Sequence, residues 1–210
     1  MREILLATGN AKKAREMQEI LGAGDCGGRV RWRRLSEFSG WPEAVEDGET
    51  FPANAAIKAR HYARWSGLWT VADDSGLEVD ALGGAPGVRS ARYAGEPTND
   101  AANNALLITR LAGVPAERRS SRFRCAVALS DGQEVLAAAE GAVEGRIIDT
   151  PRGSNGFGYD PHFWIEAAGL TMAEMSPERK HAISHRGQAL RRLHDKLLEI
   201  LAKEAPGSEP

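Results

Sequence analysis

The chain has 210 residues, 42% apolar and 27% charged, proportions that are typical of a globular domain and exclude disordered and fibrous proteins. Twenty-seven Lys and Arg against 29 Asp and Glu give a net charge of −2, which argues against a protein that coats a nucleic-acid polymer. No apolar run approaches the roughly 18 residues of a membrane span. The two cysteines, Cys26 and Cys125, predict neither a disulfide framework nor a zinc site. Without a signal-peptide pattern, we expect a cytoplasmic protein with no membrane partner.

The first half of the chain predicts alternating strands and helices. An apolar run ending at Ala7 predicts a strand, and Asn10 lies in the turn that caps a helix ending at Gly22. Thr50 caps a second predicted helix, Phe51–Ser66. The other predicted segments are a strand in 29–34, a buried strand Trp69–Ala72, a loop Asp73–Gly76 and a strand Leu77–Leu82.

The second half is richer in strands. A helix is predicted from a Thr98 cap to just before Gly113. The segments that follow are strands Phe123–Leu129 and Glu134–Ala139 around a Ser130–Gln133 turn, a third strand Ala142–Ile148, a loop Asp149–Pro161, and helices after Ser176 and over Leu190–Leu201. With no repeat or linker, the sequence predicts one mixed α/β domain over 1–203 and a disordered tail over 204–210.

The first candidate site is the turn between the first strand and helix. A helix N-terminus with a glycine and two lysines suits a phosphate group, although an ordinary capped helix would show the same pattern. The residues concerned are Thr8, Gly9, Asn10, Ala11, Lys12 and Lys13.

A second candidate is the acidic pair Asp73-Asp74, followed by Ser75. Adjacent carboxylates at the end of a strand can hold Mg²⁺ and orient a water, but a plain turn is about equally compatible with the pattern. Because side chains alternate along a strand, we expect one of the two to face the site.

Two further segments carry possible ligand-binding groups. The glycine-rich loop 152–161 includes Phe157 and Tyr159, and we expect both rings to be exposed for stacking on a base. Residues 180–187 concentrate donors at a predicted break between helices, although a solvated basic surface is the alternative. His181 and His185 do not match a zinc-protease motif.

Together these segments resemble the inosine/xanthosine triphosphate pyrophosphatase family over nearly the whole chain. The motifs that carry the resemblance are 6–10 with Lys13, 50–59, 72–77, 82–93, 156–161 and 183–187. Two departures are Ala53, where the family has an acidic residue, and Arg89, where an aromatic is common. Ala53 leaves Glu46 as the second candidate metal ligand.

The resemblance implies a fold, an activity and residue roles. The fold is a mixed elongated central sheet flanked by helices, with two lobes around a nucleotide cleft. The activity is Mg²⁺-dependent cleavage of ITP, dITP or XTP to the monophosphate and pyrophosphate by a homodimer. Asp74 would be the proton acceptor and a Mg²⁺ ligand. The substrate would be bound by Thr8 to Lys13, Lys58, Ser75 and Lys180, and its base by Phe157, Gly158, Tyr159, Asp160, His185 and Arg186.

Two alternatives stay open at this point. One is a pyrophosphatase of modified pyrimidine nucleotides on the same fold. The other is a non-catalytic nucleotide-binding or RNA-binding module, for which the combination of Asp74 with a lysine cluster would be unexpected.

Overall fold

The computed structural model describes residues 1–24 and 28–204, which divide into two compact units. Unit 1 contains Met1–Asp74, Ala126–Glu140 and the chain from Gln188 onward, and unit 2 contains Ser75–Cys125 and Gly141–Gly187. Cys26 and the predicted tail beyond Glu204 lie outside the described residues. Among the helices of the described ranges, none is long and apolar enough to cross a membrane.

The fold is a mixed α/β architecture with a seven-stranded sheet, as the resemblance implied. The strands are β1 Arg2–Leu6, β2 Val30–Arg34, β3 Trp69–Val79, β4 Ser120–Ser130, β5 Val135–Ile147, β6 Phe163–Ile165 and β7 Leu170–Thr171. Their order is β2-β1-β3-β4-β5-β6-β7, with β1 parallel to β2 and β3 and β6 antiparallel to β5 and β7. The helices are α1 Ala11–Gly22, α2 Phe51–Ser66, α3 Asp100–Arg110, α4 Pro177–Ile183 and α5 His185–Lys203.

Side-chain caps fix where the helices of unit 1 begin. The Asn10 carboxamide accepts the backbone N–H groups of Lys12 and Lys13, and the Thr50 hydroxyl accepts that of Ala53. Such caps satisfy donors that have no partner inside the helix. The predicted starts of α1 and α2 are therefore confirmed, and so is the end of α2 at Ser66.

Three sequence-based boundaries were wrong. Asp73–Gly76 is not a loop but the middle of the continuous strand β3, which lies between β1 and β4 in the strand order. Ala142–Ile148 is the second half of β5 and not a separate strand. The cap of α3 is Asn99, whose side chain accepts the Ala102 N–H, and not Thr98.

Unit 2 has its own apolar core, in which Phe163 of β6 is fully buried and lies 4.5 Å from Phe123 of β4 between ring centroids. Leu77, Leu107 and Met172 pack in the same cluster. Strands β6 and β7 were not predicted, because they are only three and two residues long and show no alternation. Their apolar residues close this core.

In the part of β5 that lies in unit 1, side chains of α5 donate hydrogen bonds to two backbone carbonyl groups. Within the described residues, β6 pairs only with Arg146 and Ile147 of β5. Further toward the start of β5, Lys196 Nζ donates to the Ala138 carbonyl and Arg192 Nη1 to the Glu140 carbonyl, each at 2.6 Å. Helix α5 therefore supplies donors to carbonyl groups that a further strand would otherwise engage.

Candidate functional site

The turn between β1 and α1 is organised by its own side chains and by a tryptophan. Asn10 N–H donates to the Thr8 hydroxyl at 3.2 Å, while the Asn10 side chain caps α1. A Cβ on Gly9 would lie 3.2 Å from the Trp41 ring, so glycine permits this close approach. The predicted phosphate turn is thus a compact Asn-capped helix start, with Trp41 as a neighbour that the sequence did not indicate.

Asp74 is the centre of a polar cluster in unit 1. It lies on β3 with 6% of its surface exposed. The Asn54 amide donates to its Oδ2 at 3.1 Å, and the Lys58 ammonium lies 3.6 Å from its Oδ1. The same ammonium donates to Glu46 Oε2 at 2.9 Å. Asn54 and Lys58 are one turn apart on α2, so both reach the same carboxylate.

Asp73 and Asp74 have separate lysine partners. The Lys13 ammonium lies 3.3 Å from Asp73 Oδ2, whereas Lys58 contacts Asp74. The expectation that only one of the two carboxylates faces the site stays a prediction, because each of them lies beside a candidate substrate lysine. The two ion pairs place two cations beside two buried carboxylates.

The environment raises the pKa values of both Asp74 and Lys58. Burial is the main cause for Asp74, and it outweighs the opposing charges of Lys58 and Lys13 and the Asn54 hydrogen bond. Burial alone would lower the pKa of Lys58, but the carboxylates of Asp74, Asp73 and Glu46 raise it overall. The ammonium is therefore charged at neutral pH, while Asp74 is a more basic carboxylate than usual.

The Asp74 shift has a defined effect on stability. Because the pKa of Asp74 is higher in the folded chain than its ordinary value of 3.8, the folded chain binds more protons between these two values. Its contribution to the free energy of unfolding therefore falls as the pH rises through that window. Ionised Asp74 is a local destabilising charge that the fold retains.

The carboxylates of Asp74 and Glu46 fit a divalent cation. Both lie against one ammonium, so they face a common positive charge, and carboxylate oxygens are the ligands that Mg²⁺ prefers. The described residues contain no group of three or more His, Cys, Asp or Glu able to hold a metal. This is compatible with Mg²⁺, which is commonly bound by one or two carboxylates and completes its shell with water and substrate phosphates.

In unit 2, the loop after β5 is organised around Asp160. Its buried carboxylate accepts the Phe157 N–H at 2.9 Å and the Lys180 ammonium at 2.7 Å. A Cβ on Gly156 would collide with this carboxylate, and Gly156 also has a φ of +74°. The loop conformation therefore requires glycine at this position.

Cationic groups lie over the ring of Phe157. The Lys180 ammonium is 5.0 Å and the Arg186 guanidinium carbon 5.7 Å from the ring centroid. Arg186 is only 2% exposed, and it donates to the Ser75 hydroxyl at 2.8 Å. Phe157 and Arg186, which the resemblance assigns to the base, thus lie together with Lys180 and Ser75, two further candidate substrate-binding residues.

The expectation of two exposed rings was wrong for Tyr159. This ring is buried, and its hydroxyl donates to the Ser90 carbonyl at 2.8 Å. Burial raises the pKa of Tyr159, with smaller contributions from Tyr93 and Asp100. Tyr159 therefore anchors the loop, and Phe157, which is partly exposed, is the ring that can stack. His185 is also buried, stacked on Phe123 at 4.8 Å.

Comparison with known proteins gives the family. The profile of the Ham1 family matches residues 4–196. The chain belongs to the Ham1 family. A Ham1 protein of known structure from Coxiella burnetii is 44% identical with a TM-score of 0.83, and the alignment covers 95% of this chain and 100% of that one.

Curated relatives match the Ham1-family chain over nearly their whole length. The dITP/XTP pyrophosphatase of Vibrio cholerae is 49% identical, covering 92% of this chain and 95% of the relative. The dITP/XTP pyrophosphatase of Desulforamulus reducens is 48% identical, with 95% of each chain covered. The similarity therefore includes most of both units.

The charge balance of the Asp74 cluster leads to a first prediction. Replacing Lys58 with Met removes the nearest positive charge, so the pKa of the Asp74 carboxyl should rise further. Carboxyl-carbon NMR titration of labelled aspartate measures this pKa directly. Lys203→Met is the matched control, because it removes the charge of an exposed lysine in the last turn of α5. An unchanged or lowered pKa in Lys58→Met would contradict the cluster as described.

Two glycines of the unit 2 loop give a second prediction. Gly156 and Gly158 both have positive φ, of +74° and +60°, but only at Gly156 would a Cβ meet the Asp160 carboxylate. Gly158→Ala should lower the free energy of unfolding by about 1 kcal/mol through backbone strain. Gly156→Ala should lower it by roughly 3 kcal/mol, because it also disturbs the buried Asp160–Lys180 pair. Urea unfolding compares them, and equal losses would show that the collision is not significant.

Proposed function

We propose that this Ham1-family protein hydrolyses non-canonical purine nucleoside triphosphates, namely ITP, dITP and XTP, to the monophosphate and pyrophosphate. The observation that carries the proposal is the cluster around Asp74, a buried carboxylate with a raised pKa beside Lys58 and Glu46. The names of the curated relatives, dITP/XTP pyrophosphatases at 46–49% identity, support the same substrate class.

In the proposed reaction, Asp74 accepts a proton from the attacking water. A general base is most effective when its pKa approaches the working pH, and the raised pKa of Asp74 moves it in that direction. Asn54 and Lys58 fix its two oxygens, which restricts the carboxylate to one orientation.

The lysines of unit 1 are proposed to act on the triphosphate. Lys12, Lys13 and Lys58 would offset its negative charge, and stabilising charge on the transferred phosphorus is the main demand of phosphoryl chemistry. Lys13 and Lys58 already lie against Asp73 and Asp74. Substrate phosphates would compete for the same ammonium groups.

Mg²⁺ is the proposed cofactor, held by Asp74 and Glu46. When bound, it would supply further positive charge against the phosphate oxygens. Lys58 contacts both carboxylates, so a bound cation would share these oxygens with its ammonium.

The base is proposed to bind in unit 2. Phe157 offers a partly exposed ring for stacking, and Lys180 and Arg186 are donors beside it. Hypoxanthine and xanthine carry an oxo group at C6, which accepts a hydrogen bond from such a donor. Adenine carries an amino group there, which would leave the protein donor without an acceptor. A mismatch of this kind rejects an analogue by about 10⁴-fold. Guanine carries the same oxo group at C6, so the exclusion of GTP must depend on recognition of the substituent at C2.

Pyrophosphate release by the purified protein tests the function. ITP and XTP should be cleaved, and ATP and a pyrimidine panel should not. Asp74→Asn should lower kcat by about 10²–10⁴-fold while the nucleotide still binds, because it removes the base and keeps the shape. Thr109→Ala, on the exposed side of α3, serves as an inert control. Equal rates with ATP and ITP, or orthophosphate as the sole product, would refute the proposal.

A homodimer in the cytoplasm is proposed for the assembly and compartment. Both follow the family resemblance and the cytoplasmic location of free nucleoside triphosphates. Light scattering should give twice the 22.6 kDa mass of one chain, and fractionation should recover the protein with soluble enzymes. A mass that stays at one chain across protein concentrations would refute the dimer.

A further inference from the structure

Both backbone groups of Gly158 are held by side chains of helix α3. Asp100 Oδ2 accepts the Gly158 N–H at 3.0 Å, and Asn104 Nδ2 donates to the Gly158 carbonyl at 2.9 Å. Asp100 and Asn104 are four residues apart, so they project from the same face of α3 in its first turns. Gly158, the residue after Phe157, is therefore held at both its N–H and its carbonyl, which belong to two successive peptide groups.

The loop needs such a clamp because of its composition. Gly156 and Gly158 flank Phe157, both with positive φ, and glycine has more backbone freedom than any other residue. Other contacts also hold the loop. Asp160 accepts the Phe157 N–H, Lys180 pairs with Asp160, and Tyr159 bonds to the Ser90 carbonyl. The α3 contacts add restraints directly after the Phe157 ring.

Helix α3 is itself fixed within unit 2. Asn99 caps its start, and Leu107 packs in the apolar core. Asn103 accepts the Ala94 N–H at 2.7 Å and donates to the Ala91 carbonyl at 2.9 Å. A helix fixed in this way can transmit its position to the loop through Asp100 and Asn104.

We propose that Asp100 and Asn104 are positioning residues for base selectivity, which act by holding Gly158 and so fixing the Phe157 ring relative to Lys180 and Arg186. The inference rests on the proposed function, because it assigns the loop to the base. It predicts that weakening the clamp reduces recognition of the base and leaves recognition of the triphosphate unchanged.

Amide hydrogen exchange tests the clamp without any substrate. In Asp100→Ala, the Gly158 amide should exchange about tenfold faster, the effect of losing one hydrogen bond to a charged group. Asn104→Ala removes the contact at the Gly158 carbonyl, and by loosening the residue it should also accelerate exchange of the Gly158 amide. Asp100→Asn retains an accepting oxygen and should restore most of the protection. Thr109→Ala, on the same helix and away from the loop, is the matched control. Unchanged exchange in both alanine variants would overturn the clamp.

Kinetics then test the selectivity role. The KM for ITP should rise about tenfold in Asp100→Ala and Asn104→Ala, with a smaller change in kcat, and the preference for ITP over ATP should narrow. Inorganic tripolyphosphate, which has no base, should inhibit the variants and the wild-type protein with equal inhibition constants. Asp100→Asn should behave like the wild-type protein.

The outcomes separate this inference from the proposed function. If the alanine variants weaken the binding of ITP and of tripolyphosphate by the same factor, the two residues act on general stability. The selectivity role is then refuted. If exchange accelerates but the preference among nucleotides is unchanged, the loop does not set selectivity. If the wild-type protein cleaves no nucleotide, the proposed function fails and the selectivity role with it, while hydrogen exchange still reports on the clamp.

Discussion

The burial of a carboxylate in the middle of a sheet constrains the arrangement of unit 1. Asp74 lies on β3, between β1 and β4, and moving its charge out of water costs several kcal/mol unless partners compensate. The compensation comes from α2, whose Thr50 cap sets the register that places Asn54 and Lys58 one turn apart. Glu46, in the segment before the cap, shares the lysine. The start of one helix thus determines the environment of the candidate base.

Each unit contains a buried aspartate whose carboxylate contacts a lysine. In unit 2, Asp160 is engaged by Lys180 and by the Phe157 N–H, and its role is to shape a loop. In unit 1, the partners of Asp74 do not fully offset its burial, so its pKa stays raised. A residue kept in an unfavourable state by its surroundings is typical of reactive positions, where stability is lost in favour of activity.

Local features of this fold were predictable from sequence, and features that depend on distant partners were not. The Asn10 and Thr50 caps involve residues two or three positions away, and both were found. Asp73–Gly76 consists of turn-forming residues, yet the segment lies inside the continuous 11-residue strand β3. Tyr159 was expected at the surface. Its buried contact with Ser90 could not be foreseen, because the two residues are 69 positions apart in the sequence. Nothing in the composition of the loop indicates that burial.

The candidate site shows the same division. The four-residue spacing of Asn54 and Lys58 was visible in the sequence, whereas the role of Asp74 came from the family resemblance and not from its pattern. The contacts of α3 with Gly158 span more than 50 residues, so no local signal could reveal them. The resemblance identifies groups expected to touch substrate, and the structure adds those that hold them in place.

The donors that α5 supplies to β5 affect the tendency of the protein to aggregate at the high protein concentrations of a cell. A sheet edge with open carbonyl groups is a template onto which strands of other molecules can add, the first step toward fibrous aggregates. Arg192 and Lys196 occupy the Ala138 and Glu140 carbonyls with charged, well-hydrated side chains that no incoming strand can easily replace. Helix α5 therefore has two roles. It buries Leu190, Leu193 and Leu197, and its charged side chains oppose aggregation through β5.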